Sequence, residues 1–271
     1  MKFSKFLTVT TLSTIILSGG VVALADETRS VSTEGTIQFV PNTDEPVIVD
    51  PPEIDPDVEI EPEIPGTTGP LSVVKAVTMD FGIQSISSEN RTYNMIAEMQ
   101  QKKGTTGDNN KIPYVSFAQV LDHRGNNAGW DLSLSLSEFE SNTPNSILRG
   151  AMISLENPYI IYSGNNQELA PTFNNNRVEL SYENGPVSIM AAEQGKGAGR
   201  SSIVWGNQPQ LNEQFADANK DIVENDNIKL FVPGDSAKDE GAYTATLTWN
   251  LTLLPDPDAG PEDGTNPELD I

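Results

Sequence analysis

The chain has 271 residues, 39 acidic against 16 basic, a formal net charge of −23 and no cysteine. That charge excludes nucleic acid and anionic lipid surfaces as partners, because both are bound through clustered lysine and arginine. The lack of cysteine excludes disulfides and thiol chemistry, so stability has to come from a packed core.

In chain order, Met1-Lys-Phe-Ser-Lys5 is a basic start, residues 6–22 are an interrupted apolar run, and Ala23-Leu-Ala25 is an Ala-x-Ala cleavage site. Together they predict a signal peptide over residues 1–25 and a secreted, extracellular protein. An exported chain without cysteine points to bacterial export, Gram-positive above all. No second long apolar run follows, so no direct membrane insertion is expected. No Leu-Pro-x-Thr-Gly signal precedes a hydrophobic tail, so attachment to a surface has to be non-covalent.

Residues 26–40 are polar apart from a strand-like run at 36–40. Residues 41–70 then hold eight prolines, nine carboxylates and no basic residue. Such a composition cannot supply a core, and proline with like charges favours an extended chain. Residues 26–70 are therefore expected to be a disordered N-terminal segment and acidic, Pro-rich spacer. The tail, residues 255–271, returns to that composition and is expected to be disordered as well.

Residues 71–254 form the expected globular domain. Strand candidates lie at 71–81, 112–121, 130–136, 147–155, 177–182, 187–192, 202–205, 228–232 and 243–254. Asn184-Gly185, between two of them, signals a hairpin because Asn-Gly accepts the positive φ of a tight turn. Helical signals are confined to 96–101 and 212–218. Many short strands between Gly, Asn and Pro turns give an all-β fold, a sandwich or barrel.

Two strand candidates share one design. In Gly129-Trp-Asp-Leu-Ser-Leu-Ser-Leu136, Trp130, Leu132, Leu134 and Leu136 alternate with Asp131, Ser133 and Ser135. In Tyr243-Thr-Ala-Thr-Leu-Thr-Trp-Asn-Leu-Thr-Leu-Leu254, Leu247, Trp249, Leu251 and Leu253 alternate with Thr248, Asn250 and Thr252. A side-chain period of two predicts half-buried antiparallel strands, apolar inside and polar outside. Trp130 and Trp249 then either pack in the core or sit at a rim, where an indole can stack on a sugar and donate its N–H. Asp131 and Asn250 point the other way, towards solvent or a ligand.

Catalytic signals are weak. His123, the only histidine, stands in Asp-His-Arg-Gly before a turn, without the Gly-x-Ser-x-Gly setting of a serine hydrolase. Glu138 and Glu140 share a strand face, as carboxylates on an exposed edge often do. Asp217, Asn219 and Asp221 are spaced like the start of a calcium loop. Ile222 replaces its glycine, however, and Ile228 its bidentate glutamate, leaving an acidic loop. Gly195-Lys-Gly-Ala-Gly199 lacks the features of a phosphate loop and reads as a mobile surface loop. No catalytic, cofactor-binding or metal-ligating residues are expected, and the protein is not expected to be an enzyme.

The blocks around the two Trp-x-Leu strands resemble the WxL-domain surface proteins of low-GC Gram-positive bacteria. Leu71-Ser-Val and Met79-Asp-Phe-Gly82 resemble the start of that domain. Gln119-Val-Leu-Asp-His-Arg-Gly125 with Ala128-Gly-Trp-Asp-Leu132 resembles its proximal motif block. The Gly195 to Trp205 segment resembles its Gly-rich part. Val232-Pro-Gly234 with the strand from Gly241 to Leu251 resembles the distal block. The resemblance covers roughly residues 70–256 and departs from the family in the acidic extension after Pro255. It implies a domain at the cell wall surface, with Trp130, Asp131, Leu132, Trp249, Asn250 and Leu251 as its motif residues. It also implies non-covalent attachment to the wall with peptidoglycan as ligand. A membrane-anchored WxL-interacting protein and other WxL proteins are the implied protein partners. An adhesin whose wall contact runs only through such a partner is the alternative.

Overall fold

The computed structural model describes residues 34–41, 48–174 and 177–254. The expected signal peptide, the expected disordered tail and parts of the N-terminal segment lie outside the described residues. The chain divides into two compact units, Met1–Gln38 and Phe39–Ile271. Of the first, residues 34–38 are described; they have no regular secondary structure and are exposed.

The second unit is all-β with one short α-helix. Its strands are β1 (Val58–Glu59), β2 (Leu71–Lys75), β3 (Arg91–Ile96), β4 (Glu98–Lys102), β5 (Lys111–Tyr114), β6 (Ser116–Asp122), β7 (Trp130–Leu136), β8 (Met152–Leu155), β9 (Tyr159–Tyr162), β10 (Thr172–Phe173), β11 (Val178–Leu180), β12 (Val187–Ala192) and β13 (Gly199–Trp205). Helix α1 (Gln208–Ala216), β14 (Glu224–Val232) and β15 (Leu247–Leu253) complete it. Every strand pair is antiparallel.

Four sheets result, ordered β10-β12-β7-β15, β11-β8-β14-β3, β2-β6-β13-β9 and β1-β4-β5. The first shares one apolar core with the second and third: Trp130, Leu132 and Leu134 meet Ile153, Leu155 and Ile228, and Val120 and Ile203 of the third sheet join them. The third sheet also has a core on its other face. There Phe117, Leu121 and Val204 pack with Val58, Ala97, Tyr114 and Leu211. Strand β6 is thus buried at all seven positions, as a strand between two apolar layers must be.

That second core corrects the expectation of a spacer. Within the acidic, Pro-rich stretch, Val49 and Val58 are buried and β1 pairs with β4. The buried Gln119 amide acts as a strand partner: its Nε2 donates to the Asp50 carbonyl at 2.9 Å and its Oε1 accepts the Asp50 N–H at 3.2 Å. The Tyr114 hydroxyl does the same for Glu53, donating to its carbonyl and accepting its N–H, both at 2.7 Å. Tyr159 donates to the Glu53 carboxylate at 2.6 Å, and Arg200 pairs with Asp50. A proline-rich chain has few N–H groups for a ladder, so side chains elsewhere in the sequence satisfy its backbone. Beneath this strap, Lys75 is sealed between layers, 2.9 Å from Glu98, 3.3 Å from the Phe117 carbonyl and 4.5 Å from that ring's centre. Burial pushes the Glu98 carboxyl up, against the pull of Lys75.

Other expectations change too. The runs flanking Asn184-Gly185 do not pair: β11 joins β8 in the second sheet and β12 joins β7 in the first. Gly185 does take a positive φ, of 64°, but the turn carries the chain from one sheet to the other. Residues 96–101, expected to be helical, fall at the end of β3 and in β4, because pairing with β14 and β5 outweighs helix propensity. Helix α1 is present but begins earlier than expected. Asn207 caps it by accepting the Gln210 N–H, and Leu211 anchors it in the second core.

Candidate functional site

Strands β7 and β15 lie side by side, with Asn250 opposite Ser133, Thr252 opposite Asp131 and Thr248 opposite Ser135. The two tryptophan motifs are thereby brought together, as neither could show alone. On the inner face, Trp130, Leu132 and Leu134 are fully buried, whereas Trp249 and Leu251 are half-buried. The core reading of the tryptophans therefore holds fully for Trp130 and partly for Trp249.

Trp130 lies beneath the Gly-rich segment. Its indole N–H donates to the Gly197 carbonyl at 3.4 Å, and the Gly197 N–H donates to the Leu169 carbonyl at 2.9 Å. Gly197 is itself buried, with φ 74°, and a Cβ there would lie 2.4 Å from the Ala192 Cβ and 2.9 Å from the Trp130 Nε1. Only glycine fits. The expected mobile loop is a fitted cover at this point.

The Asp-His-Arg-Gly motif also has a structural part. Arg124 grips both Asp122 carboxylate oxygens, at 2.9 and 2.7 Å, and donates to the Gly129 carbonyl at 3.0 Å, which fixes the turn into β7. His123 is exposed, and its ring hydrogen-bonds to nothing among the described residues.

Trp205 packs its ring 6.4 Å from that of Trp249, tilted by 57°. It ties β15 to the third sheet. The indole N–H groups of both rings are buried, with no hydrogen-bond partner among the described residues. The sequence marks Trp205 as the end of a strand candidate and of the Gly-rich block; its pairing with Trp249 needed the fold.

The outer face of the first sheet is polar and almost uncharged. One row runs Thr172, Ala191, Asp131, Thr252, a second Ser188, Ser133, Asn250, and a third Ser135, Thr248. Asp131 is the only ionisable side chain in these rows, and it accepts a hydrogen bond from the Ser188 hydroxyl. The Asn250 amide is exposed and hydrogen-bonds to nothing among the described residues. Such a surface can donate and accept hydrogen bonds with hydroxyl and amide groups over a flat area. Glu138 and Glu140 lie beyond it; Glu140 is held by backbone pairing with Thr244.

The Asp217 region is an ordinary helix end. The backbone and side-chain amides of Asn219 hydrogen-bond the Asp217 carboxylate and hold its pKa below the usual range. Among the described residues no group of three or more His, Asp or Glu side chains is arranged to hold a metal, and no helix is long and apolar enough to cross a membrane.

A family model described as "WxL domain surface cell wall-binding" matches residues 26–255, most of the chain. The match begins ahead of residue 71 and so takes in the strap over the second core. No curated protein and no solved structure matches the chain.

Proposed function

The chain belongs to the WxL-domain family of surface cell wall-binding proteins, and from that premise we propose that it is secreted and attaches non-covalently to peptidoglycan through the outer face of β7, β12 and β15. The observation that carries this reading is the charge pattern. On a chain of net charge −23, this face presents hydroxyls, the free Asn250 amide and a single carboxylate already hydrogen-bonded by Ser188. A wall rich in anionic polymer repels the molecule as a whole, but only over about 8 Å at physiological salt. Neutral hydrogen bonding to glycan or stem-peptide amides is then the route left for contact. The role is binding rather than catalysis.

The test is co-sedimentation with purified peptidoglycan stripped of proteins and teichoic acids. The wild-type chain is expected to pellet, and to do so as well in high salt as in low, since neutral contacts are little screened. Asn250→Ala is expected to weaken pelleting about tenfold while the circular dichroism stays unchanged. A wild-type chain that stays in the supernatant, yet binds cells carrying a membrane-anchored partner, overturns direct binding in favour of indirect attachment.

A further inference from the structure

Strand β15 is an unusual edge. It has seven residues and a neighbour, β7, on one side of its sheet. The Ser137 N–H donates to the Thr246 carbonyl. In an antiparallel ladder alternate residues face the same partner, so Thr248, Asn250 and Thr252 direct their backbone groups at β7. Leu247, Trp249 and Leu251 direct theirs outward, where no described strand meets them. The other edges are short or blunted: β1, β9, β10 and β11 have two to four residues. Lys75, Arg91 and Lys111 with Pro113 mark β2, β3 and β5. A long edge with neither charge nor proline is a template for another strand.

Beside Leu247, the first residue of β15, opens a mainly apolar slot of about 690 Å³, lined by Phe81, Tyr93, Phe139, Leu230 and Leu247, with Asp80, Lys238, Asp239 and Glu240 also on its wall. The same chain also holds an unmatched complement. Ile37, Phe39 and Val40 are 79, 84 and 77% exposed, in a run that is uncharged from Gly35 to Val40. The alternation of Ile37 and Phe39 puts both on one side of an extended strand.

We propose that the free edge of β15 takes residues 35–40 of a second copy of this chain as an added strand, with Ile37 and Phe39 entering the slot beside Leu247. Two copies of an acidic chain repel each other, and an uncharged segment laid against an uncharged edge adds nothing to that repulsion. The six-residue run also matches the seven-residue edge in length. Main-chain hydrogen bonds supply the pairing and the slot supplies the register.

The experiment is sedimentation velocity of the purified chain over a concentration series. A monomer–dimer equilibrium is expected, with a dissociation constant of roughly micromolar to tens of micromolar for so small an interface. Ile37→Asp combined with Phe39→Asp should weaken it at least about tenfold. Its circular dichroism and Tm should be unchanged, since both side chains are exposed. A synthetic peptide of residues 34–41 should return the wild-type dimer to monomer, and the same peptide with both aspartates should not. Asn250→Ala, altered only on the outer face, should associate as wild type does, which separates this interface from wall binding. A chain that is monomeric at every concentration, or whose dimer is equally strong in the double variant, overturns the proposal.

Discussion

Strands β7 and β15 carry the same Trp-x-Leu pattern and differ in one respect, their place in the sheet. Strand β7 has a neighbour on each side, and among the described strands β15 has β7 alone. Trp130 is consequently sealed, with its N–H bonded to Gly197, whereas Trp249 is half-buried with an N–H that finds no partner among the described residues. Equal motifs thus have unequal parts to play. The central copy is sealed inside the fold, and the edge copy borders both of the contact surfaces proposed above. A motif defined by alternation marks a strand but not that strand's neighbours.

Truncating the two tryptophans should break the symmetry of the motifs most visibly. Trp130→Ala is expected to cost about 3–5 kcal/mol, enough to unfold much of the population of a marginal domain, and is read by chemical denaturation. Glu98→Gln, far from both motifs, replaces a carboxylate whose charge burial penalises with a neutral group of the same shape. The folded pKa of Glu98 is raised, so the wild type gains stability from this group as pH falls through that folded value, fully so below the ordinary carboxylate value. The variant is neutral at every pH and lacks that gain, so any advantage it has at neutral pH should vanish on acidification, read by chemical denaturation at both pH values. A difference from wild type that is the same at neutral and mildly acidic pH would refute the burial argument.

Trp249→Ala, starting from a half-exposed ring, should cost about 1–2 kcal/mol. If it matches Trp130→Ala, the contrast between centre and edge is wrong. The smallest effect sharpens the contrast most: Asn250→Ala should change stability by less than about 0.5 kcal/mol while weakening wall binding. A loss of stability there would make Asn250 a folding residue and remove the distinction between the two faces.

Much of the first sheet was legible in the residues. The alternations at 130–136 and 187–192 match β7 and β12, and β15 lies within 243–254, because a strand with one wet face writes its period into the sequence. The inward and outward sides of Trp130, Asp131, Trp249 and Asn250 followed from the same period. Strands β3, β4 and β9 are not among the strand candidates: the alternation in Arg91-Thr-Tyr-Asn-Met-Ile96 spans only about four residues, and Tyr159-Ile-Ile-Tyr162 has none. The strap was misread for a related reason. Its prolines and carboxylates describe a chain unable to fold by itself, and its anchors, Gln119, Tyr114 and Tyr159, are distant in sequence.

Local chemistry by itself therefore determined the all-β class, the acidic character, the two motif strands and which of their residues face inward. Tertiary structure decided which strand lies at an edge, which acidic segment is packed, and that the Gly-rich segment covers Trp130. The physical reason is range. Side-chain alternation is a property of consecutive residues, while edges, second cores and fitted glycines exist only once segments far apart in the chain meet.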